Sequence, residues 1–161
     1  MSDNLHSKED LRELYRELIL DHARSPRHFG KLEGATHSAE GINPLCGDKL
    51  VIYFNIDDGG RIDDARFEGS GCAISVASAS LLTDTVIGMS SDDALDFFRT
   101  LVSRLSGRLA DGERPVGDLD LGKLAALEGV KEFPSRVKCA TLAWHAMNSA
   151  MHKESGPATT E

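Results

Sequence analysis

Apolar residues along the chain follow two distinct periods. Leu11, Leu14, Tyr15, Leu18, Ile19 and His22 recur at helical spacing. The capping-box-like Ser7-Lys8-Glu9-Asp10 opens the run and Ser25-Pro26 stops it, which predicts an amphipathic helix with one apolar stripe. His22 closes that stripe and reads as a partly buried histidine satisfied by its neighbours. Further on the period changes to two. Leu50, Ile52, Phe54 and Ile56 alternate with Val51, Tyr53 and Asn55, and Asp57-Asp58-Gly59-Gly60 turns the chain into a second strand, Arg61 to Glu68. Ile62 is out of phase with Ala65 and Phe67, so a bulge or register change is expected there. A preceding edge strand from about His37 to Ile42, ended by Pro44, would complete a three-stranded antiparallel sheet. Cys46-Gly47-Asp48 would form the crossing loop, and His37 reads as surface.

Helical spacing returns after Gly69-Ser70-Gly71. The Ala/Ser-rich stretch from Ala73 to Ile87 predicts a closely packed helix. Gly88 and Ser90 mark its end and the next cap, and Ala94, Leu95, Phe98, Leu101, Val102 and Leu105 continue at helical spacing. Residues 106–120 read as a polar, turn-rich excursion, followed by a short helix from Leu121 to Leu127. A last helix is expected from Pro134-Ser135, with Val137, Ala140, Trp144, Met147 and Met151 on its core face. The pattern is that of an α+β domain, a three-stranded antiparallel sheet packed against several helices. Its expected limits are a flexible segment 1–7, a single domain 8–152 and a flexible tail 153–161.

Composition narrows the function classes. The mixture, 40% hydrophobic and 27% charged, is that of an ordinary globular protein. A chain of this length buries about 70% of its unfolded surface without needing staples. Net charge is −8, and no basic cluster suggests a nucleic-acid partner. The apolar runs, such as Leu18-Ile19-Leu20, are far too short for a membrane span or a signal-peptide core, so a cytoplasmic location is expected. In a reducing compartment the three cysteines, Cys46, Cys72 and Cys139, do not read as a disulfide framework.

These thiols are the candidate chemistry. No two form a C-x-x-C pair, so spacing alone leaves two readings open: small core hydrophobes, or ligands that only the fold brings together. With Asp48 they form a set of soft and hard donors of the kind used by tetrahedral zinc or an iron–sulfur cluster. Cys72 follows a glycine turn at a helix start and Cys139 lies in the first turns of another helix. Both positions are expected to favour the ionised thiol. Gly47 would let Cys46 and Asp48 turn toward one point.

Three segments carry a family resemblance. Asn43-Pro44-Leu45-Cys46-Gly47-Asp48, Phe67-Glu68-Gly69-Ser70-Gly71-Cys72-Ala73-Ile74-Ser75 and Phe133-Pro134-Ser135-Arg136-Val137-Lys138-Cys139-Ala140 resemble the SufU branch of the iron–sulfur scaffold family that includes IscU. The likeness runs roughly from Leu11 to Met151. It implies a zinc-dependent sulfurtransferase in which Cys46, Asp48, Cys72 and Cys139 hold Zn2+ and Cys46 is the nucleophile. Sulfur would come from the persulfide of a SufS-type cysteine desulfurase, whose pyridoxal phosphate belongs to that partner, and would pass to downstream iron–sulfur assembly proteins. The resemblance further implies that a histidine of the desulfurase takes the place of Cys46 on the metal. Lys138 stands where IscU proteins carry a histidine, and the peptide read by their Hsp70-type chaperone is altered here to Phe133-Pro134-Ser135-Arg136-Val137-Lys138. A segment between about Gly107 and Glu132 is a further SufU-like feature.

Three other readings remain. A scaffold could build a [2Fe-2S] cluster, or hold iron, on the same four residues. A structural zinc docking module would leave Cys46 inert. A Cys-His hydrolase pairing Cys46 with His145 or His37 has no local signature. Arg136 and Lys138, a helical turn or less from Cys139, are the expected partner contacts, with a carboxylate of the desulfurase pairing with Arg136.

Overall fold

The computed structural model describes residues 8–106, 121–154 and 156–160. Ser7, the expected flexible segment 1–7 and nearly all of the expected excursion at 106–120 lie outside them. The elements in order are α1 (Lys8–Arg24), β1 (His37–Asn43), β2 (Asp48–Ile56), β3 (Ile62–Ser70), α2 (Ala73–Val86) and α3 (Ser91–Ser106). A 3-10 helix (Gly122–Val130), α4 (Pro134–Met151) and β4 (Ala158–Thr159) complete the chain. Ser90 caps α3, its Oγ accepting the Asp93 N–H at 3.1 Å. The segment expected as a short helix at Leu121–Leu127 is the 3-10 helix.

The sheet has four strands in the order β3-β2-β1-β4. The β1–β2 and β2–β3 pairs are antiparallel and the β1–β4 pair is parallel. The three-stranded antiparallel sheet expected from the sequence is therefore corrected to a four-stranded mixed one. Ala158 and Thr159, within the segment expected as a flexible tail, pair with Gly41 and Ile42 of β1. β1 is thus not an edge strand along these residues.

Alternation on β2 decides which face is buried. Leu50, Ile52 and Phe54 have no exposed surface, and α2 and α4 cover that face. Each such side chain contributes about 1.5–3 kcal/mol on burial. On β3 the expected irregularity is present: Asn55 pairs with Asp64 but Ile56 with Ile62. Asp63 is the extra residue, and its insertion returns Ile62, Ala65 and Phe67 to the same buried face. Gly41 faces α4, where an added Cβ would lie 3.2 Å from Leu142, so the absent side chain lets the helix approach β1 closely.

Polar ties set the helices against one another. Trp144 Nε1 donates to Ser78 Oγ at 3.1 Å, and Ser78 Oγ donates to the Ala140 carbonyl at 2.5 Å, all in the core between α2 and α4. His22, only 1% exposed, makes a 2.7 Å hydrogen bond from Nδ1 to Ser80 Oγ. It is a satisfied core histidine that docks α1 on α2.

These histidines predict an acid limit to stability. Burial, then the Arg27 and Lys123 charges, hold the His22 pKa below its ordinary 6.5, against the opposite pull of Asp84 and Asp21. Burial likewise lowers His145 and, with Lys153, His37. A depressed histidine pKa means that the unfolded chain binds protons more readily than the folded one. The stability is therefore whole above the unfolded value and is lost as pH falls below about 6.5. The melting temperature of chelator-treated protein should drop from pH 7.5 to 5.5, and more shallowly in His22→Gln. An unchanged slope in that variant would show that His22 does not report the titration.

Candidate metal centre

The first part of the site is a tight hairpin connection. Asn43 and Asp48 are opposite each other at the ends of β1 and β2, and residues 44–47 join them. Pro44 occupies the second position of a turn in which the Cys46 N–H donates to the Asn43 carbonyl at 3.3 Å. Gly47 then takes a φ of +73°, a conformation that favours glycine. Cys46 is left exposed at the tip of the turn. Asp48, expected within the loop, is instead the first residue of β2 and only 1% exposed.

Two helix starts bring the remaining side chains. Cys72 is the N-cap of α2, and its backbone N–H donates to Asp48 Oδ1 at 2.8 Å. Gly71 makes this approach possible, since a Cβ there would sit 2.5 Å from both Asp48 Oδ1 and Ser75 Oγ. Cys139 is on α4, 2% exposed, with its Sγ 3.3 Å from Cys46 Sγ. Asn43 Nδ2 lies 3.2 Å from Asp48 Oδ2 and 3.4 Å from Cys139 Sγ. The Cys72 side chain is half-buried.

The donor set suits a metal ion. One ligand atom each from Cys46, Asp48 and Cys139 lie within 4.8 Å of one another, while the Cys72 side chain falls outside that group and Cys72 is tied to it through its backbone N–H on Asp48. Zinc bonds of about 2.0–2.3 Å place tetrahedral ligand atoms about 3.3–3.8 Å apart, so seating the ion calls for adjustments of about half an ångström, with the Cys46 and Cys139 sulfurs, now 3.3 Å apart, moving slightly outward. Cys139 requires one correction. Its thiol, expected to ionise readily, is instead pushed well above its ordinary range, first by burial and then by hydrogen bonds with Cys46, Asp48 and Cys72. It is the sixth residue of α4, beyond the first turn where the dipole acts strongly. A cation beside it would favour the ionised form.

Residues 14–153 match the family described as NifU-like N terminal domain. The chain belongs to that family. The NifU-like chain is 39% identical over 143 residues to the zinc-dependent sulfurtransferase SufU of Bacillus subtilis, covering 89% of this chain and 92% of that one. It is 36% identical over 143 residues to the iron-sulfur cluster assembly scaffold protein IscU of Streptococcus pyogenes, covering 89% and 86%. Among solved structures, a putative iron-sulfur cluster assembly scaffold protein for the SUF system from Fervidobacterium islandicum aligns with a TM-score of 0.73 at 32% identity, covering 94% and 99%. The SufU and IscU resemblance read from the three cysteine segments is thus sustained, as is the α+β architecture with helices on a sheet.

Other predicted residues of this NifU-like domain fall around the centre. Arg136 is exposed in the first turn of α4, its guanidinium 5.1 Å from the centroid of the Phe133 ring. Lys138 is half-buried. His145 is six residues beyond Cys139, about 9 Å along the helix, and packs edge-on against Phe98. His37 begins β1, six residues and about 20 Å of strand from Asn43, and bonds Thr36 through Nδ1. Neither placement favours a Cys-His pair with Cys46. No helix among the described residues is long and apolar enough to cross a membrane.

Asn43 is the site residue that the motif contained but sequence reasoning did not single out. The Asn-Pro dipeptide signals a turn. That its side chain is fully buried between two candidate ligands depends on α4, ninety-six positions away.

Proposed function

We propose that this protein is a zinc-dependent sulfur acceptor of iron–sulfur cluster assembly, with Cys46 as the residue that receives the sulfur. The observation that carries the reading is the graded exposure of converging thiols. Cys139 is buried and Cys72 partly so, while Cys46 alone is exposed although its Sγ is only 3.3 Å from that of Cys139. The zinc-dependent SufU relative supports the same reading.

Cys46, Asp48, Cys72 and Cys139 would hold zinc, whose charge, when bound, keeps thiols ionised at neutral pH. The Cys46 thiolate attacks the outer sulfur of a cysteine persulfide on a desulfurase. A new S–S bond forms at Cys46, the donor S–S bond breaks, and the donor cysteine leaves as a thiolate. The proton on the transferred sulfur stays with it, so charge and atoms balance. Asp48 stays anchored through Cys72 N–H and Asn43 Nδ2 while the exposed turn gives Cys46 its reach. The pyridoxal phosphate belongs to the desulfurase, and downstream assembly proteins receive the sulfur. Three free thiols persist best in a reducing compartment, which supports a cytosolic setting for this role.

Leu45, 67% exposed beside Cys46, and Phe133, 50% exposed at the start of α4, offer apolar contacts to the partner, and Arg136 and Lys138 offer charge. The scaffold relatives favour a second reading, assembly of a [2Fe-2S] cluster on the same residues. One anaerobic preparation distinguishes them. The expected result is about one zinc per chain, faster desulfurase turnover on addition of the protein, and weaker stimulation by Arg136→Glu at unchanged zinc content. A coloured iron–sulfur species as the dominant stable form supports the scaffold. Zinc without stimulation supports a structural docking module, and full stimulation by Arg136→Glu removes that residue from the interface.

A further inference from the structure

We propose that Asn43 is a positioning residue for the metal centre, its carboxamide tying Asp48 of the hairpin to Cys139 of α4. The inference rests on the metal-binding reading above. Asn43 is completely buried, so its amide has exchanged water for whatever the site provides. On the Nδ2 side it finds two acceptors, Asp48 Oδ2 at 3.2 Å and Cys139 Sγ at 3.4 Å. Among the described residues its Oδ1 is buried with no hydrogen-bond partner.

That asymmetry selects the orientation of the group. An unpaired buried carbonyl is costly, and turning the amide over would set Oδ1 against the Asp48 carboxylate oxygen and, in a zinc-loaded centre, against an ionised Cys139 sulfur. Donors aimed at anionic acceptors make stronger hydrogen bonds than neutral pairs. The arrangement is therefore suited to an ionised ligand pair and poorly suited to an apolar core. A residue chosen only to fill space would be apolar and leave no orphan.

Position in the fold explains why this residue serves. Asn43 is the last residue of β1 and the register partner of Asp48, so its backbone is fixed by the same hairpin that carries Cys46 and Asp48. Its side chain crosses to α4 and meets Cys139. Asp48 is held from two sides, by Asn43 Nδ2 on one oxygen and Cys72 N–H on the other. The carboxylate is thus oriented before a metal arrives, as partners behind metal ligands generally do.

The test compares the full-length wild type with Asn43→Ala by zinc titration against a chromophoric chelator and by thermal melts of the metal-free forms. Zinc affinity is expected to fall about 10–100-fold, while the metal-free proteins melt together. Equal affinity overturns the inference. So does a metal-free melting temperature that falls as far as the zinc-loaded one, since that would mark a purely structural residue. Asn43→Ser takes the same measurements if the alanine variant does not fold. A wild type that binds no zinc fails in its own titration, which overturns the metal reading itself and this inference with it.

Discussion

Cys46→Ser should abolish sulfur acceptance while leaving the metal-free fold intact, and Cys139→Ser should lose the metal and the stability that the metal confers. The two sulfurs are 3.3 Å apart but sit in opposite environments. Cys46 is exposed on a four-residue turn whose conformation is set by Pro44 and Gly47, so a serine there disturbs no core contact. Its hydroxyl is a far weaker nucleophile than a thiolate, and a loss on the order of a thousandfold or more in persulfide transfer is expected. Cys139 is 2% exposed on α4, where serine removes the least accessible of the three thiols. With free zinc at about 1,000 times its dissociation constant, the linked stabilisation at risk is about 4 kcal/mol. Cys72→Ser should shift metal retention in the same direction as Cys139→Ser, since Cys72 is the remaining proposed ligand and its backbone N–H holds Asp48. Zinc content, melting temperature with and without chelator, and mass spectrometry of the persulfide distinguish the roles. Equal destabilisation by all three substitutions, with no persulfide ever found on Cys46, would remove the assignment of Cys46 as the acceptor.

How far the sequence could be read depended on whether a feature was periodic or assembled. The β2–β3 hairpin was legible because Leu50, Ile52 and Phe54 alternate over a long strand, and even its bulge was visible in the phase of Ile62. β4 was not legible, because two residues carry no period and their pairing to Gly41 and Ile42 is made through the backbone. The candidate ligands were legible only as members of three motifs in order. Their separations along the chain carry no metal-site spacing, and it is the β1–β2 turn, the β3–α2 junction and the second turn of α4 that bring them together. Helix position suggested an easily ionised Cys139, but its burial depends on the whole packed core. Asn43 escaped notice for the same reason. Its importance arises from a contact with α4 that no local pattern encodes.

Gly69→Ala is expected to be among the most destabilising single methyl additions in the protein and to disrupt the site from the sheet. Gly69 has a φ of +129°, a region that residues with a Cβ rarely adopt, and it pairs with Leu50 in the β2–β3 ladder. A Cβ built there would lie 2.2 Å from the Lys49 carbonyl oxygen and 2.9 Å from Leu50 Cα. Both obstacles are backbone atoms of the neighbouring strand and cannot rotate aside, unlike the Asp48 and Ser75 side-chain atoms that a methyl at Gly71 would meet. The ladder must therefore open or the strand must change conformation. Backbone strain of about 1–3 kcal/mol, with a steric term of similar size, gives about 2–6 kcal/mol, or a fall in melting temperature on the order of 10 °C for a chain of this size. Ser70, Gly71 and Cys72 follow directly, so a displaced Gly69 also moves the Cys72 N–H away from Asp48 Oδ1. The metal-free variant should lose stability, and its zinc affinity should fall in parallel. A variant that melts within about 2 °C of wild type would show that β3 can adjust its end without strain and that the close approach of Gly69 to β2 is not required for the fold.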